Sequence, residues 1–136
     1  MRTKQAYGVR KRYRLDNAAN VYPAIKNRKR PGMFRVSATL KESVQPVQLQ
    51  TALNATLRRI PSFSVRMRSG LFWHYFSHSD DQIHIQEDVV NPCMRLSPLN
   101  DQGFQIRVRY HERRIALEIF HSVSDGSGAV VFLKTL

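Results

Sequence analysis

His121-Ser122-Val123-Ser124-Asp125-Gly126-Ser127-Gly128-Ala129-Val130-Val131-Phe132-Leu133-Lys134-Thr135-Leu136 decides the fold, because within it a strand ends, a turn forms and a helix begins. Upstream, Ile115, Leu117 and Ile119 alternate with other residues, the period-2 pattern of a strand. Downstream, Ala129, Phe132, Leu133 and Leu136 stand at i, i+3, i+4 and i+7, the apolar stripe of a helix. Ser124 or Asp125 can cap the free amides of that helix, while Gly126 and Gly128 permit backbone angles or close approaches that a side chain blocks.

Working back from this motif, Phe104, Ile106, Val108 and Tyr110 alternate with Gln105, Arg107 and Arg109, and His111 to Arg114 turns the chain into the strand before His121. Nearer the start, Phe34, Val36, Ala38 and Leu40 oppose Arg35, Ser37, Thr39 and Lys41, a half-buried strand. Pro46 suits the first turn of a helix whose stripe is Leu49, Ala52, Leu53, Leu57 and Ile60, and Pro61 ends it. Phe63, Val65 and Met67 then alternate with polar residues, Ser69-Gly70 supplies a turn, and the aromatic run Leu71 to Phe76 completes a hairpin. Ser77 to Gln82 is a polar connection, Ile83 to Glu87 a short strand, and Asn91 to Asn100 a loop. These elements predict an α+β fold: a two-layer sandwich, with a mostly antiparallel sheet and helices on one face.

The 136 residues, 42% of them hydrophobic, suffice for one domain with a real core. Leu136 stops inside an apolar stripe with no cap, so residues 1–136 are expected to form one N-terminal lobe of a longer chain. A single cysteine, Cys93, excludes an internal disulfide framework. No apolar run approaches the ~20 residues of a membrane helix, and no secretory signal is evident at Met1 to Tyr7, so a cytoplasmic protein without a membrane span is expected. The formal charge is +12. Arg2, Lys4, Arg10, Lys11, Arg12, Arg14, Lys26, Arg28, Lys29 and Arg30 crowd a basic, partly irregular lead-in at residues 1–32. Such a patch admits nucleic acid, acidic lipid or a polyphosphate such as coenzyme A, although a solvated arm with no ligand is the simplest account of it.

His121 is the natural candidate for chemistry, since an imidazole with an ordinary pKa of about 6.5 can take and return protons near neutrality. Asp125, across the turn, could orient a ring nitrogen or brace the loop by pairing with a cation. His121-Ser122-Val123-Ser124-Asp125-Gly126 resembles the HxxxDG signature of the chloramphenicol acetyltransferase-like and condensation-domain superfamily, and the continuation through Leu133 looks most like its alcohol acetyltransferase branch. Weaker similarities lie in Leu15 to Pro23, Arg59 to Phe63 and Gly70 to Trp73. The resemblance implies acyl transfer from acetyl-CoA or another acyl-CoA, used as co-substrate rather than as a bound cofactor, to a small hydroxyl acceptor. It makes His121 the general base, Asp125 a structural brace and Gly126 the residue that leaves room for substrate. Condensation domains carry a second histidine where Phe120 stands here, which argues against peptide-bond formation. The family's second lobe, with its DFGWG-like motif, has no counterpart in the chain, so the resemblance implies half of a site and an isolated lobe that is inactive.

The competing assignments are weaker. His74, His78, His84 and Cys93 suggest zinc, but His74 and His78 on one strand lie too far apart to share an ion easily, and no metal is expected. Asp125-Gly126-Ser127-Gly128 lacks the Lys-Ser/Thr ending of a phosphate loop. Residues Leu71 to Phe76 could stack bases, yet their alternation favours core on one face and sheet packing on the other. A basic nucleic-acid-binding module rests on charge alone, and a non-catalytic interaction lobe is the third alternative. An exposed lobe face would favour a homodimer.

Overall fold

The computed structural model describes residues 12–14, 32–96 and 101–136, the first three by their backbone. Most of the basic lead-in, the Leu15 to Pro23 similarity and residues 97–100 of the predicted loop lie outside the described residues. In order come β1 (Arg12–Arg14), β2 (Met33–Thr39), α1 (Pro46–Arg59), a 3-10 turn at Pro61–Phe63, β3 (Val65–Ser69), β4 (His74–His78), β5 (Gln86–Glu87), β6 (Ile106–His111), β7 (Arg114–Phe120) and α2 (Gly126–Thr135). The fold is α+β with mostly antiparallel sheets, as the patterning predicts. The strands divide between two sheets, however: four in the order β2-β7-β6-β5 and three in the order β1-β4-β3. An isolated bridge between Arg66 and Phe104 links the two. Only the β5–β6 pair is parallel among the described strands.

Proline sets both ends of α1. Pro46 occupies the first turn, where its missing N–H costs nothing, and Pro61 begins the 3-10 turn just past the C-cap residue Ile60. Leu49, Leu53 and Leu57 of α1 and Ala129 and Phe132 of α2 share one core with Ile106, Val108, Ile115, Leu117 and Ile119, so both helices cover the same face of the larger sheet. Phe132 stacks on Phe63 with ring centroids 4.5 Å apart, tying α2 to the end of α1. A second cluster, Val65, Phe76, Leu96 and Phe120, joins the two sheets.

Three expectations need correction. The hairpin turn spans Gly70 to Trp73, closed by a Gly70 N–H donating to the Trp73 carbonyl at 2.7 Å, rather than Ser69-Gly70. Leu71 and Phe72 therefore belong to a turn and are 91% and 90% exposed, not packed on a sheet. The strand expected at Ile83 to Glu87 shrinks to Gln86–Glu87, although Ile83 is buried.

The second face of the larger sheet is charged. Arg35, Glu118 and Arg107 lie in one cross-strand row, and Glu118 is completely buried. Glu118 pairs with Arg35 at 3.1 Å, with Arg107 at 3.1 Å and with Arg109 at 3.4 Å. Asp88 accepts from Arg35 and, at 2.9 Å, from Arg114. The Arg35 guanidinium, with help from the Val89 amide and Arg114, holds the Asp88 carboxyl well below the usual carboxylate range despite burial, which opposes the shift. A pKa lower in the folded than in the unfolded chain stabilises the fold above the unfolded value of about 3.9 and ceases to do so as pH falls through the lowered value. Acid titration of wild type is therefore expected to lose stability below about pH 4, whereas Asp88→Asn shows a shallower acid limb. Equal limbs in urea melts at a series of pH values would rule this out.

Candidate functional site

His121 follows the last residue of β7, and its position is set by its neighbours on the chain. Phe120 is fully buried in the cluster between the sheets, so the backbone entering His121 is anchored. The His121 N–H then donates to the Gly32 carbonyl at 2.9 Å. Gly32 has φ +71°, and a Cβ there would meet the Phe120 ring at 2.6 Å. Both backbone geometry and space thus require glycine beside the anchor. The His121 ring lies 4.4 Å from that of Phe34, tilted by 39°, and the residue is exposed. The strand end thus places His121 at the solvent boundary, where a substrate can reach it.

The turn that follows is held at both ends. Val123 packs on both clusters and donates its N–H to the Phe120 carbonyl at 2.9 Å. Asp125 is the N-cap of α2, with extended backbone angles and a carboxylate that accepts from the Gly128 N–H at 2.8 Å. Its carbonyl receives the Ala129 N–H at 3.1 Å. Of the two cap candidates, Asp125 makes this bond, while the Ser124 hydroxyl donates to the Asp125 carbonyl at 3.1 Å. The cap should contribute about 1 kcal/mol. Asp125→Ala is expected to lower stability by about 0.5–2 kcal/mol and Asp125→Asn by less, since asparagine caps equally well. Identical chemical denaturation midpoints for the two variants would contradict a capping role.

The two glycines differ. A Cβ at Gly128 would fall 2.0 Å from the Ser124 hydroxyl, so close approach explains that residue. Gly126 has neither a positive φ nor any atom within 4 Å of a built Cβ. Its side-chain direction opens on empty space beside the His121 turn.

No protein-family profile matches the sequence, and no curated protein does. Solved structures do resemble it in fold. Polyketide synthase associated protein 5 from Mycobacterium tuberculosis superposes with a TM-score of 0.64 over 90% of this chain and 30% of its own, at 16% identity. The starter condensation domain of rhizomide synthetase gives 0.67 over 92% of this chain and 36% of its own, at 10% identity. The chain thus has a condensation/acyltransferase-like fold and spans about a third of the length of these neighbours.

Other cavities lie elsewhere. One of about 690 Å³ is lined by Asn54, Arg58, Ser64 and His78 among others. A second, of about 430 Å³, adjoins Arg95, Asp101, Arg107 and Arg109. His121 lines neither. His74 and His78 occupy opposite ends of β4, and among the described residues no cluster of three potential ligands could hold a metal ion. Sequence inspection missed Gly32 and Phe34 as neighbours of His121. The meeting of Gly32 with the end of β7 arises from strand pairing, which periodicity does not reveal.

Proposed function

We propose that the chain is the N-terminal lobe of a CoA-dependent acyltransferase that moves an acetyl or other acyl group from a CoA thioester to a small hydroxyl acceptor. His121 takes the acceptor's hydroxyl proton as that oxygen attacks the thioester carbonyl. The carbon–sulfur bond then breaks, and the departing thiolate recovers the proton from the imidazolium. Asp125 acts through the geometry of the turn, and Gly126 leaves the acceptor room beside the base. The observation that carries this proposal is the exposed His121, its backbone held by the Gly32 carbonyl and the buried Phe120, at the start of a turn in which Gly126 leaves its side-chain direction open. The shared fold supports acyl-transfer chemistry in general, and the HxxxDG resemblance favours His121 and a hydroxyl acceptor in particular.

The neighbours' greater length supports a second lobe completing the site, so the 136 residues alone should be inactive. The test is release of free CoA from acetyl-CoA in the presence of primary alcohols, comparing the full-length protein, its His121→Ala variant and the isolated chain. Turnover only by full-length wild type is expected. Transfer by the isolated chain would remove the half-site proposal, and an inactive full-length wild type would leave a non-catalytic interaction lobe.

A further inference from the structure

We propose a second site, independent of acyl transfer: the β3–β4 hairpin tip, Leu71-Phe72-Trp73, inserts into the surface of an anionic lipid bilayer. These side chains are 91%, 90% and 51% exposed and occupy a four-residue turn at the apex of the smaller sheet. Three consecutive large apolar side chains projecting into water have no account in the packing of the described residues.

Charge identifies the occupant. Residues 1–79 carry 16 of the 22 Lys and Arg but only Asp16 and Glu42 of the 10 acids. The remainder of the chain is slightly acidic. All three strands of the smaller sheet come from that cationic part. In the second row behind the tip, the register places Arg14 and Arg68 on the two strands flanking Tyr75. Arg68 is exposed. Aromatic and aliphatic side chains at an apex, with the exposed Arg68 behind them on a sheet drawn from the cationic part of the chain, match an interface whose apolar layer lies beneath anionic headgroups. A second copy of the chain fits less well, because tip-to-tip docking would bring together two strands that each carry an exposed Arg68. Single-stranded nucleic acid also fits less well. Stacking needs successive ring faces along a basic groove, whereas the concavity at this tip, about 550 Å³, is lined by Gly70 to His74 alone, with an aliphatic residue among them and no arginine or lysine.

Trp73 is the one tryptophan of the 136 residues and reports directly on its surroundings. The chain is mixed with vesicles of phosphatidylcholine alone or of phosphatidylcholine with phosphatidylserine, and binding is read by flotation and by Trp73 emission. Binding to the anionic vesicles with a blue shift, weakened by salt, is expected. Leu71→Ser and Phe72→Ser, both at exposed positions, should each weaken partitioning about tenfold without changing the circular dichroism. Several outcomes overturn the proposal. Equal binding to neutral vesicles would remove the role of charge. Anionic binding that is untouched by the two substitutions and leaves Trp73 emission unshifted would be attraction to the basic arm alone. Trp73 shielded without lipid, by self-association or by the rest of a longer chain, or quenched by oligonucleotide in preference to vesicles, would assign the tip to those partners.

Discussion

Replacing His121 with alanine in the full-length protein is expected to lower acyl-transfer turnover by roughly 100- to 10,000-fold, the usual contribution of a positioned general base. The effect should fall on kcat more than on KM, because proton removal is needed only as the acceptor oxygen attacks. Folding should survive. The residue is exposed, and its hydrogen bond to Gly32 is made by the backbone N–H, which alanine keeps. Its ring packs beside Phe34 at the surface, where substitutions usually change stability by no more than about 0.5 kcal/mol. Steady-state kinetics with acetyl-CoA and a saturating alcohol, alongside thermal melts of both proteins, make the comparison. Turnover equal to wild type would place the base elsewhere. A parallel fall in turnover and in the folded fraction would make His121 structural.

What the sequence makes legible follows from which signals are local. The β7 strand, the α2 stripe and the Asp125 cap are each written within a few residues, because alternation, helical spacing and an N-cap depend only on the chain's own geometry. The two prolines bracket α1 for the same reason. The division into two sheets is not local. It depends on β4 pairing with both β1 and β3 and, among the described residues, on an isolated bridge between Arg66 and Phe104 and on the second cluster to join the larger sheet. Nor could composition separate Leu71-Phe72-Trp73 from the strand beside it, since β-rich residues in an exposed turn carry the same propensity as in a sheet. At the site, His121, Asp125 and the turn between them are legible as a motif. The Gly32 carbonyl and the Phe34 ring reach His121 only because β2 pairs with β7 in one particular register.

Arg107 and Arg109 show a further limit. Alternation marks them as the solvent side of β6, yet both are buried, at 5% and 7% exposure. The segment after Asp88 lies over this face: the Cys93 N–H donates to Glu118 at 3.0 Å, and the Met94 carbonyl accepts from Arg107. A period-2 pattern tells polar from apolar faces but cannot say whether a polar face is wet. Arginine tolerates such burial when its charge is answered, and here the answer is Glu118, on the neighbouring strand and fully enclosed.

Glu118→Gln is accordingly expected to cost about 3–5 kcal/mol, the penalty for breaking a buried ion pair while leaving its partners charged. On this face, among the described residues, four guanidiniums (Arg35, Arg107, Arg109 and Arg114) meet three carboxylates (Asp88, Asp101 and Glu118). Glutamine keeps the shape and an acceptor for the Cys93 N–H but removes the charge shared by Arg35, Arg107 and Arg109. Neighbouring strands cannot move apart to admit water without opening the β2-β7-β6 ladder, so the uncompensated charges stay enclosed. Against a typical domain stability of about 5–15 kcal/mol, the variant should unfold at much lower urea. Pairing Glu118→Leu with Arg107→Met removes opposite charges together and should cost less than the two single changes added, because a buried pair replaced by apolar groups is often nearly neutral. Additive costs, or a Glu118→Gln midpoint within experimental error of wild type, would mean that these carboxylate contacts do not hold the second face of the sheet closed.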